Sequence, residues 1–321
     1  MDLDLRLVRY AVVLADELHF ARAAARLQIA QQTLSAQITR LEARLSLQLF
    51  VRDRRHVELT PAGELFTRRG RDLLAEAQDL LADLHGSAPP PLRVDVITEG
   101  LTPGIIAREL RSRLPNVPLE VIQGHGLAAT VAAVAEGRVD LAFGWVDGIG
   151  KPLPSSLSHQ LVRWEPVGIG LPAGHPLAAL KQVPLRELAA YPLVLHTAAE
   201  AADWHAWNEQ VAAAFGLRIG SRLQGHGRDS ANAAVLAYHA PALAPVEAPV
   251  PDGIVTRPIV DPVPLCPISV IWRSHGRTPA RLRQAISAIQ EIAAEHDWLA
   301  RPSADYWLPT PLVRPSAHTA L

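Results

Sequence analysis

The sequence predicts an α/β protein with a helical, winged helix-turn-helix head and a two-lobed α/β domain behind it. Three observations support this fold class. Residues 20–46 have the pattern of two helices joined by a three-residue turn, and residues 92–143 alternate between short apolar strands and helices. A second alternating unit begins at about residue 163. Alternation of strand and helix is typical of parallel sheets with right-handed crossovers.

The second helix of the N-terminal pair has an apolar stripe and a face of short polar side chains. The stripe consists of Leu34, Ile38, Leu41 and Leu45, which recur at the helical period. The opposite face presents Gln31, Gln32, Thr33, Ser35, Ala36, Thr39 and Arg40. Glutamine can pair with an adenine edge, and serine or threonine with a base or a phosphate. A solvated helical hairpin is the alternative, but this composition favours a helix that enters the major groove of DNA.

A short basic segment follows this helix pair. Val57 and Leu59 alternate with polar residues there, as expected for the second strand of a β-hairpin wing. Arginines in such a wing neutralise DNA phosphates, which gives affinity and register but no sequence information. The arginines that we expect to contact DNA outside the second helix are Arg22, Arg52, Arg54 and Arg55.

A long amphipathic helix is predicted to begin at Thr60 and Pro61, as N-cap and first helical residue. Its apolar stripe contains Leu65, Leu73, Leu74, Leu80, Leu81 and Leu84. Gly86 and the prolines at 89–91 end it. Because the helix lies between two domains, its apolar face needs a partner, and the same helix of a second subunit is the simplest one.

These features resemble the LysR-type transcriptional regulators. The matching segments are Phe20, Ala21–Leu27, Ala30–Glu42, Leu47–Arg52 and Leu59–Gly63. The chain departs from the family pattern at Ala30, where serine is the usual N-cap, and at Gln32, Ala36 and Thr39. Alanine as N-cap should weaken the start of the recognition helix by about 0.5–2 kcal/mol.

The resemblance implies a homodimer or homotetramer that binds dyad-symmetric double-stranded DNA and responds to a small-molecule effector, with RNA polymerase as a further partner. It also implies that the two-lobed domain is similar to the periplasmic binding proteins. The looser matches in this domain are Leu114–Glu120, Gly137–Ala142 and His175–Ala178. After the DNA-binding motif, therefore, we expect an effector-binding domain.

The predicted organisation has four parts. They are a winged helix-turn-helix domain over 1–60, a linker and dimerisation helix over 61–88, an effector-binding domain over 89–300 and a tail over 301–321. Within the effector-binding domain we expect lobe I at about 92–162 and 267–300, and lobe II at about 163–266. We expect a mobile tail, although Tyr306 and Trp307 could dock it.

An effector site is predicted beyond the carboxyl ends of the strands, where open α/β sheets bind their ligands. The residues in those loops are Thr98, Glu99, His125, Trp145, His196, His226 and Arg228. The histidines, Arg228 and two helix starts predict a site for a small anion or carboxylate, with Trp145 as an apolar wall. The resemblance adds that the family commonly uses the positions of Thr98 and His125 to hold its effector.

Two alternatives to this effector site stay open. A metal-responsive regulator could use His125, His196, His226 and Glu99 as ligands. The chain could also be a two-lobed small-molecule-binding protein or an enzyme, with an incidental helical hairpin. The sequence contains no HExxH, GxSxG or phosphate-loop motif, so we expect neither catalysis nor a cofactor.

Composition limits the classes of protein to which the chain can belong. The net charge is −1 at pH 7, so DNA affinity must come from a local basic surface. The sequence shows no signal peptide and no apolar run long enough for a bilayer, which predicts a cytoplasmic protein without a membrane partner. Cys266 is the only cysteine and cannot form an internal disulfide. We expect it to be a buried small residue, with a sulfenic acid switch as the alternative.

Overall fold

The computed structural model divides the chain into two compact units, Met1–Pro90 and Pro91–Leu321. It describes residues 3–52, 57–85, 90–97, 100–124, 126–197, 199–223, 227–274, 278–301 and 305–312. Within these ranges only the backbone is described for Arg52, Asp79, Ala82, Asp83, His85, His196, Glu200 and Arg228. None of the helices in these ranges combines the length and the apolar composition that crossing a bilayer requires.

The first unit is a helical bundle followed by a β-hairpin and a long helix. Its elements are α1 (Leu5–Glu17), α2 (Phe20–Arg26), α3 (Gln31–Leu45), β1 (Phe50–Arg52), β2 (Val57–Leu59) and α4 (Pro61–His85). Leu34, Ile38 and Leu41 of α3 are buried in one core with α1 and α2. The predicted helix pair and its apolar stripe are therefore confirmed.

The predicted wing is confirmed as a two-stranded hairpin. β1 and β2 are antiparallel, with Phe50 opposite Leu59. A carboxylate of α3 holds the first strand in place, because Oε1 of Glu42 accepts hydrogen bonds from the backbone N–H groups of Leu49 at 2.9 Å and Phe50 at 3.0 Å. Both residues are fully buried, so Glu42 couples the recognition helix to the wing.

The long helix α4 has two different faces. A face of small residues packs on α1, where Thr67 is buried and a methyl group at Gly70 would lie 2.7 Å from Val8 Cγ1. Arg71 also forms a partly buried ion pair with Asp16 of α1. The small residues of α4 therefore have a partner in their own chain, whereas the pairing of its leucine stripe with a second subunit stays a prediction. The exposed leucines are Leu65, Leu73, Leu80, Leu81 and Leu84.

The second unit is an α/β domain. Its elements are β3 (Leu92–Val96), α5 (Thr102–Arg113), β4 (Leu119–Gln123), α6 (Leu127–Ala135), β5 (Ala142–Gly144), β6 (Leu157–Pro172), β7 (Val183–Pro184), β8 (Leu193–His196), α7 (Ala202–Ala214), β9 (Ile219–Leu223), α8 (Gly227–Tyr238), β10 (Ala242–Pro245), β11 (Ile254–Val260), β12 (Val263–Arg273), α9 (Ala280–Glu295) and β13 (Tyr306–Trp307). β3 is parallel to β4, and β8 is parallel to β9. The predicted α/β fold class is confirmed.

Two long strands are shared by the lobes. β6 and β12 are antiparallel, and their register shifts between Ile268 and Ser269. Val162 and Val270 lie in the core of lobe I, whereas Val167 and Cys266 lie in the core of lobe II. β6 is one continuous strand across residue 163, where we expected lobe II to begin, so the boundary lies within a strand and not between two elements.

The first part of the C-terminal tail is docked. β13 pairs with the start of β12, and Trp307 packs edge-to-face on Trp207 at 5.7 Å between ring centroids. The Gln210 side chain of α7 binds both the N–H and the carbonyl of Thr310, at 2.7 and 2.9 Å. The expectation of a mobile tail is therefore wrong for residues 305–312, and residues 313–321 lie outside the described range.

Candidate nucleic-acid interface and effector site

The exposed side of α3 forms one continuous polar surface. Gln31, Gln32, Thr33, Ala36, Thr39 and Arg40 are exposed, and Ser35 is half-buried. A shallow depression on this surface is lined by Gln31, Gln32, Ser35, Ala36, Thr39, Arg40 and Ala43. The structure thus brings the predicted base-reading residues together, although their contacts to DNA stay a prediction.

Local bonding limits what some of these residues can contribute. Ala30 is the N-cap of α3 and makes no side-chain cap bond among the described residues, as its side chain cannot accept one. The Thr39 hydroxyl donates to the carbonyl of Ser35 at 3.0 Å, so its proton is already used within the helix. The Arg22 guanidinium binds the side chain and the backbone carbonyl of Glu17, which partly neutralises it.

The predicted phosphate contacts of the wing are not tested. The Arg52 backbone forms the last position of β1 and pairs with Val57, but its side chain is not described. Arg54 and Arg55 lie outside the described residues. Their role therefore remains a prediction from the basic composition of this segment.

A cavity of about 170 Å³ lies between the two lobes of the second unit. Its lining is mostly apolar and comes from both lobes. Among the lining residues are Leu101, Leu127 and Phe143 from lobe I, and Val194, Leu223 and Leu243 from lobe II. Ile97 and Gly126 also line it, and these are the sequence neighbours of Thr98 and His125. The loops that were predicted to meet the effector do therefore reach this cavity.

A buried carboxylate from the shared strand β6 lines the cavity. Glu165 accepts a hydrogen bond from the Thr102 hydroxyl, which in turn accepts one from Arg163 at 3.1 Å. Burial raises the pKa of Glu165, while Thr102 and Arg163 oppose the rise. Thr102 is the first residue of α5, and Leu101 is the N-cap of this helix.

A second buried carboxylate comes from the first turn of α7. Asp203 is 7% exposed, and its Oδ2 accepts a hydrogen bond from the backbone N–H of Trp145 at 3.2 Å. Burial raises the pKa of Asp203 to about 6, against the opposing effect of the backbone N–H groups of Trp145, Asp203 and Trp204. Gly144 makes this approach possible, because a side chain there would collide with the Asp203 carboxylate.

Of the predicted effector-binding side chains, the structure describes that of Trp145. Thr98, Glu99, His125 and His226 lie outside the described residues, as do the side chains of His196 and Arg228. Trp145 is described, and the prediction that its ring is a wall of the site is contradicted. The ring is 2% exposed, belongs to the core of lobe II and does not line the cavity. Its backbone N–H, which holds Asp203, is the part that matters for the site.

Cys266 is buried as expected. It is 2% exposed and lines the cavity from β12. Burial raises the pKa of its thiol, and the charges of Glu165 and Asp203 raise it further. Since the thiolate is the form that reacts with oxidants, these surroundings disfavour a sulfenic acid switch.

Sequence reasoning missed Glu165 and Asp203. A weak signal exists for Glu165, because Arg163 and Glu165 are two residues apart on a strand and so share one face. Asp203 directly precedes Trp204, which stacks on Trp207 at 5.3 Å between ring centroids. Nothing in the sequence distinguishes Asp203 from an ordinary acidic residue in the first turn of a helix.

The metal-responsive alternative is not tested. No group of three or more histidine, cysteine, aspartate and glutamate residues that could hold an ion occurs in the described part of the chain. All four side chains proposed as ligands lie outside that part.

Comparison with known families agrees with the two-part architecture. Residues 5–64 match the bacterial regulatory helix-turn-helix proteins of the lysR family, and residues 91–294 match the LysR substrate binding domain. A DNA-reading head and a two-lobed ligand domain define a class of effector-responsive transcription factors. The chain belongs to the LysR-type transcriptional regulators.

Individual relatives are similar to this chain over about 200 residues. An uncharacterised helix-turn-helix-type transcriptional regulator of Escherichia coli, YnfL, is 36% identical over 200 residues, 60% of this chain and 66% of that protein. A probable cat1 operon transcriptional activator of Acinetobacter lwoffii is 31% identical over 201 residues, 60% of this chain and 64% of that protein. The chain thus spans slightly less than two thirds of the length of these relatives.

Solved structures support the same fold. A full-length OxyR variant from Pseudomonas aeruginosa superposes with a TM-score of 0.67 at 24% identity, and the match covers 91% of this chain and 95% of that one. At this level of identity the similarity establishes the fold of the chain.

Proposed function

We propose that the protein is a dimeric regulator of transcription that reads DNA with α3 and binds a small-molecule effector in the cavity between its lobes. The observation that supports this most strongly is the α3 surface, where short polar side chains are exposed over a buried apolar stripe. The protein acts by binding and not by catalysis, in the cytoplasm, where bacterial DNA is accessible. A footprint on the DNA upstream of its own gene would test this function directly.

The base-reading role predicts separable effects of two kinds of substitution. Gln31→Ala should relax the preference for one base pair, at a cost of about 1–3 kcal/mol on the preferred operator, because glutamine can bind adenine through two hydrogen bonds. Arg54→Ala should weaken binding to all sequences and lower the salt dependence by about one counterion. Competition binding on operators with single base-pair changes, at two salt concentrations, measures both effects.

A matched control for this experiment is Gln290→Ala, which removes an exposed glutamine from α9 in the other unit. It should leave operator binding unchanged. The assignment of roles fails if Arg54→Ala changes sequence preference and Gln31→Ala does not.

The dimer is proposed to form through α4. Leu73 is 38% exposed and Leu80 is 59% exposed, and their spacing of seven residues puts them on the same face of the helix. Changing both to aspartate would place charges in an apolar interface, which should raise the dimer dissociation constant by about 100-fold or more. Sedimentation of the full-length protein at micromolar concentration should then show monomers with weak operator affinity.

A leucine on the other unit gives the control for this variant. Leu299 is 45% exposed, so Leu299→Asp adds one charge without touching α4 and should leave the dimer intact. A Leu73→Asp, Leu80→Asp protein that remains dimeric would rule out this interface.

A further inference from the structure

Among the described residues that line the cavity between the lobes, the charged side chains are carboxylates. Asp203 and Glu165 both line it. Arg163 lies 3.7 Å from Glu165 and also pairs with Glu247 at 3.0 Å. One guanidinium is thus shared by two carboxylates, and no positively charged side chain among the described residues acts on Asp203. The local charge favours a cationic ligand.

Asp203 has an unused hydrogen-bond acceptor. Its Oδ2 accepts from Trp145, but its Oδ1 is buried and has no hydrogen-bond partner among the described residues. The carboxylate lies against Gly144 and Leu127, which also line the cavity. A buried carboxylate oxygen without a donor is unfavourable, so a ligand that supplies a donor at this point gains a charge-assisted hydrogen bond.

The size and the lining of the cavity limit the rest of the ligand. Its volume of about 170 Å³ is similar to that of an engineered apolar cavity of about 150 Å³ that binds benzene. Phe143, Val194 and Trp204 are among the lining residues. The cavity therefore suits a compact hydrocarbon group with a single polar end.

We propose that the effector is a compact apolar amine, whose ammonium group donates a hydrogen bond to Asp203 while its hydrocarbon part fills the cavity. This inference rests on the proposed function, since it takes the cavity to be the effector site. It departs from the anionic effector expected from the sequence. That expectation depended on His125, His196, His226 and Arg228, whose side chains are not described.

The ionisation of Asp203 agrees with this assignment. Burial raises the pKa of its carboxyl group to about 6, so the group is mostly ionised at pH 7.5. A primary aliphatic amine is protonated at the same pH. The two groups therefore meet as an ion pair, in a water-poor site where such a pair is stronger than on the surface.

Three probes of matched size and different charge test the proposal. They are cyclohexylmethylamine, cyclohexylmethanol and cyclohexanecarboxylate. The emission of Trp204 in the cavity wall reports binding to the full-length protein, and calorimetry at pH 7.5 gives the dissociation constants. We expect the amine to bind at least about tenfold more tightly than the alcohol, and the carboxylate to bind most weakly.

Variants identify the group responsible. Asp203→Asn should weaken amine binding by about tenfold or more and alcohol binding by less than about threefold, because only the amine loses an ionic partner. Retained alcohol binding shows that the variant is folded. Asp252→Asn, which neutralises an exposed carboxylate of the same lobe, should change neither value.

Other results of these binding measurements would contradict different parts of the proposal. Tighter binding of the carboxylate, or an unchanged amine affinity in Asp203→Asn, overturns the amine proposal and leaves the cavity as the effector site. If none of the three probes binds, both the amine proposal and the assignment of the cavity fail. DNA recognition by α3 is tested separately and is unaffected by either result.

Discussion

Replacing Gly63 with alanine should remove operator binding, although alanine is the better helix former by about 1 kcal/mol. Gly63 lies in the first turn of α4, and a methyl group there would overlap the backbone carbonyl of Leu49. That carbonyl precedes β1, and it cannot rotate away as a flexible side chain could. We expect a loss of about 2–4 kcal/mol in the free energy of unfolding of the first unit, and at least about 100-fold in DNA affinity.

Hydrogen exchange of the α3 amides and anisotropy with labelled operator DNA measure these two losses. Gly174→Ala is the matched control, because Gly174 is exposed and its methyl group would meet no atom within 4 Å. The opposite result is a Gly63→Ala protein that exchanges its α3 amides as slowly as the parent protein and binds operator DNA with the same affinity. That result would show that the fold does not require the close approach of α4 to the Leu49 carbonyl.

Asp203→Asn should stabilise the effector domain at neutral pH. Burial raises the pKa of Asp203 from 3.8 to about 6. The folded state therefore binds the proton more tightly than the unfolded state, so the ionised group destabilises the fold above pH 6. This penalty is relieved as the pH falls from 6 to about 4. A pKa difference of about two units corresponds to about 3 kcal/mol, which is the upper limit of the gain from asparagine.

Unfolding in urea at several pH values measures this difference. All seven tryptophans lie between Trp145 and Trp307, so their emission reports on the second unit alone. The stability gain of Asp203→Asn should be largest at pH 7.5 and disappear near pH 4. Glu165 titrates in both proteins and so cancels in the comparison. A variant that is less stable than the parent at pH 7.5 would contradict the burial penalty. A stabilising substitution that also weakens amine binding would show that Asp203 is kept for its ligand.

Local patterns were sufficient for much of the fold. The apolar stripe of α3 is visible in the sequence because a leucine or isoleucine recurs at the helical period. Ile38 is fully buried, as this spacing requires. Most strands and helices of the second unit also lie where the sequence patterns place them, as for β3, in which Leu92, Val94 and Val96 are buried. β10 is an exception, because residues 242–245 form a strand that the sequence pattern did not predict.

The parts that could not be predicted depend on partners far away in the sequence. Glu42 holds the wing through N–H groups that its own helix does not contain. Asp203 is buried because α7 packs against the loop after β5, which is 58 residues earlier in the chain. Trp307 is docked by Trp207 and Phe215, at 5.7 and 6.0 Å. The periodicity of a single segment does not indicate such contacts. The positions of these carboxylates and of the tail could therefore be found only from the structure.

The docked part of the tail connects helix α7 to a loop of lobe I. Gln210 of α7 holds Thr310, and two residues later the N–H of Leu312 binds the carbonyl of Asp147, at 3.1 Å, on the loop of lobe I. Two residues before Asp147, Trp145 holds Asp203 at the other end of the same helix α7. A ligand that changes the position of Asp203 therefore acts on a helix that is fixed to both lobes. By thermodynamic reciprocity, if ligand binding changes the attachment of residues 305–312, then detaching these residues changes the ligand affinity of the cavity by the same factor.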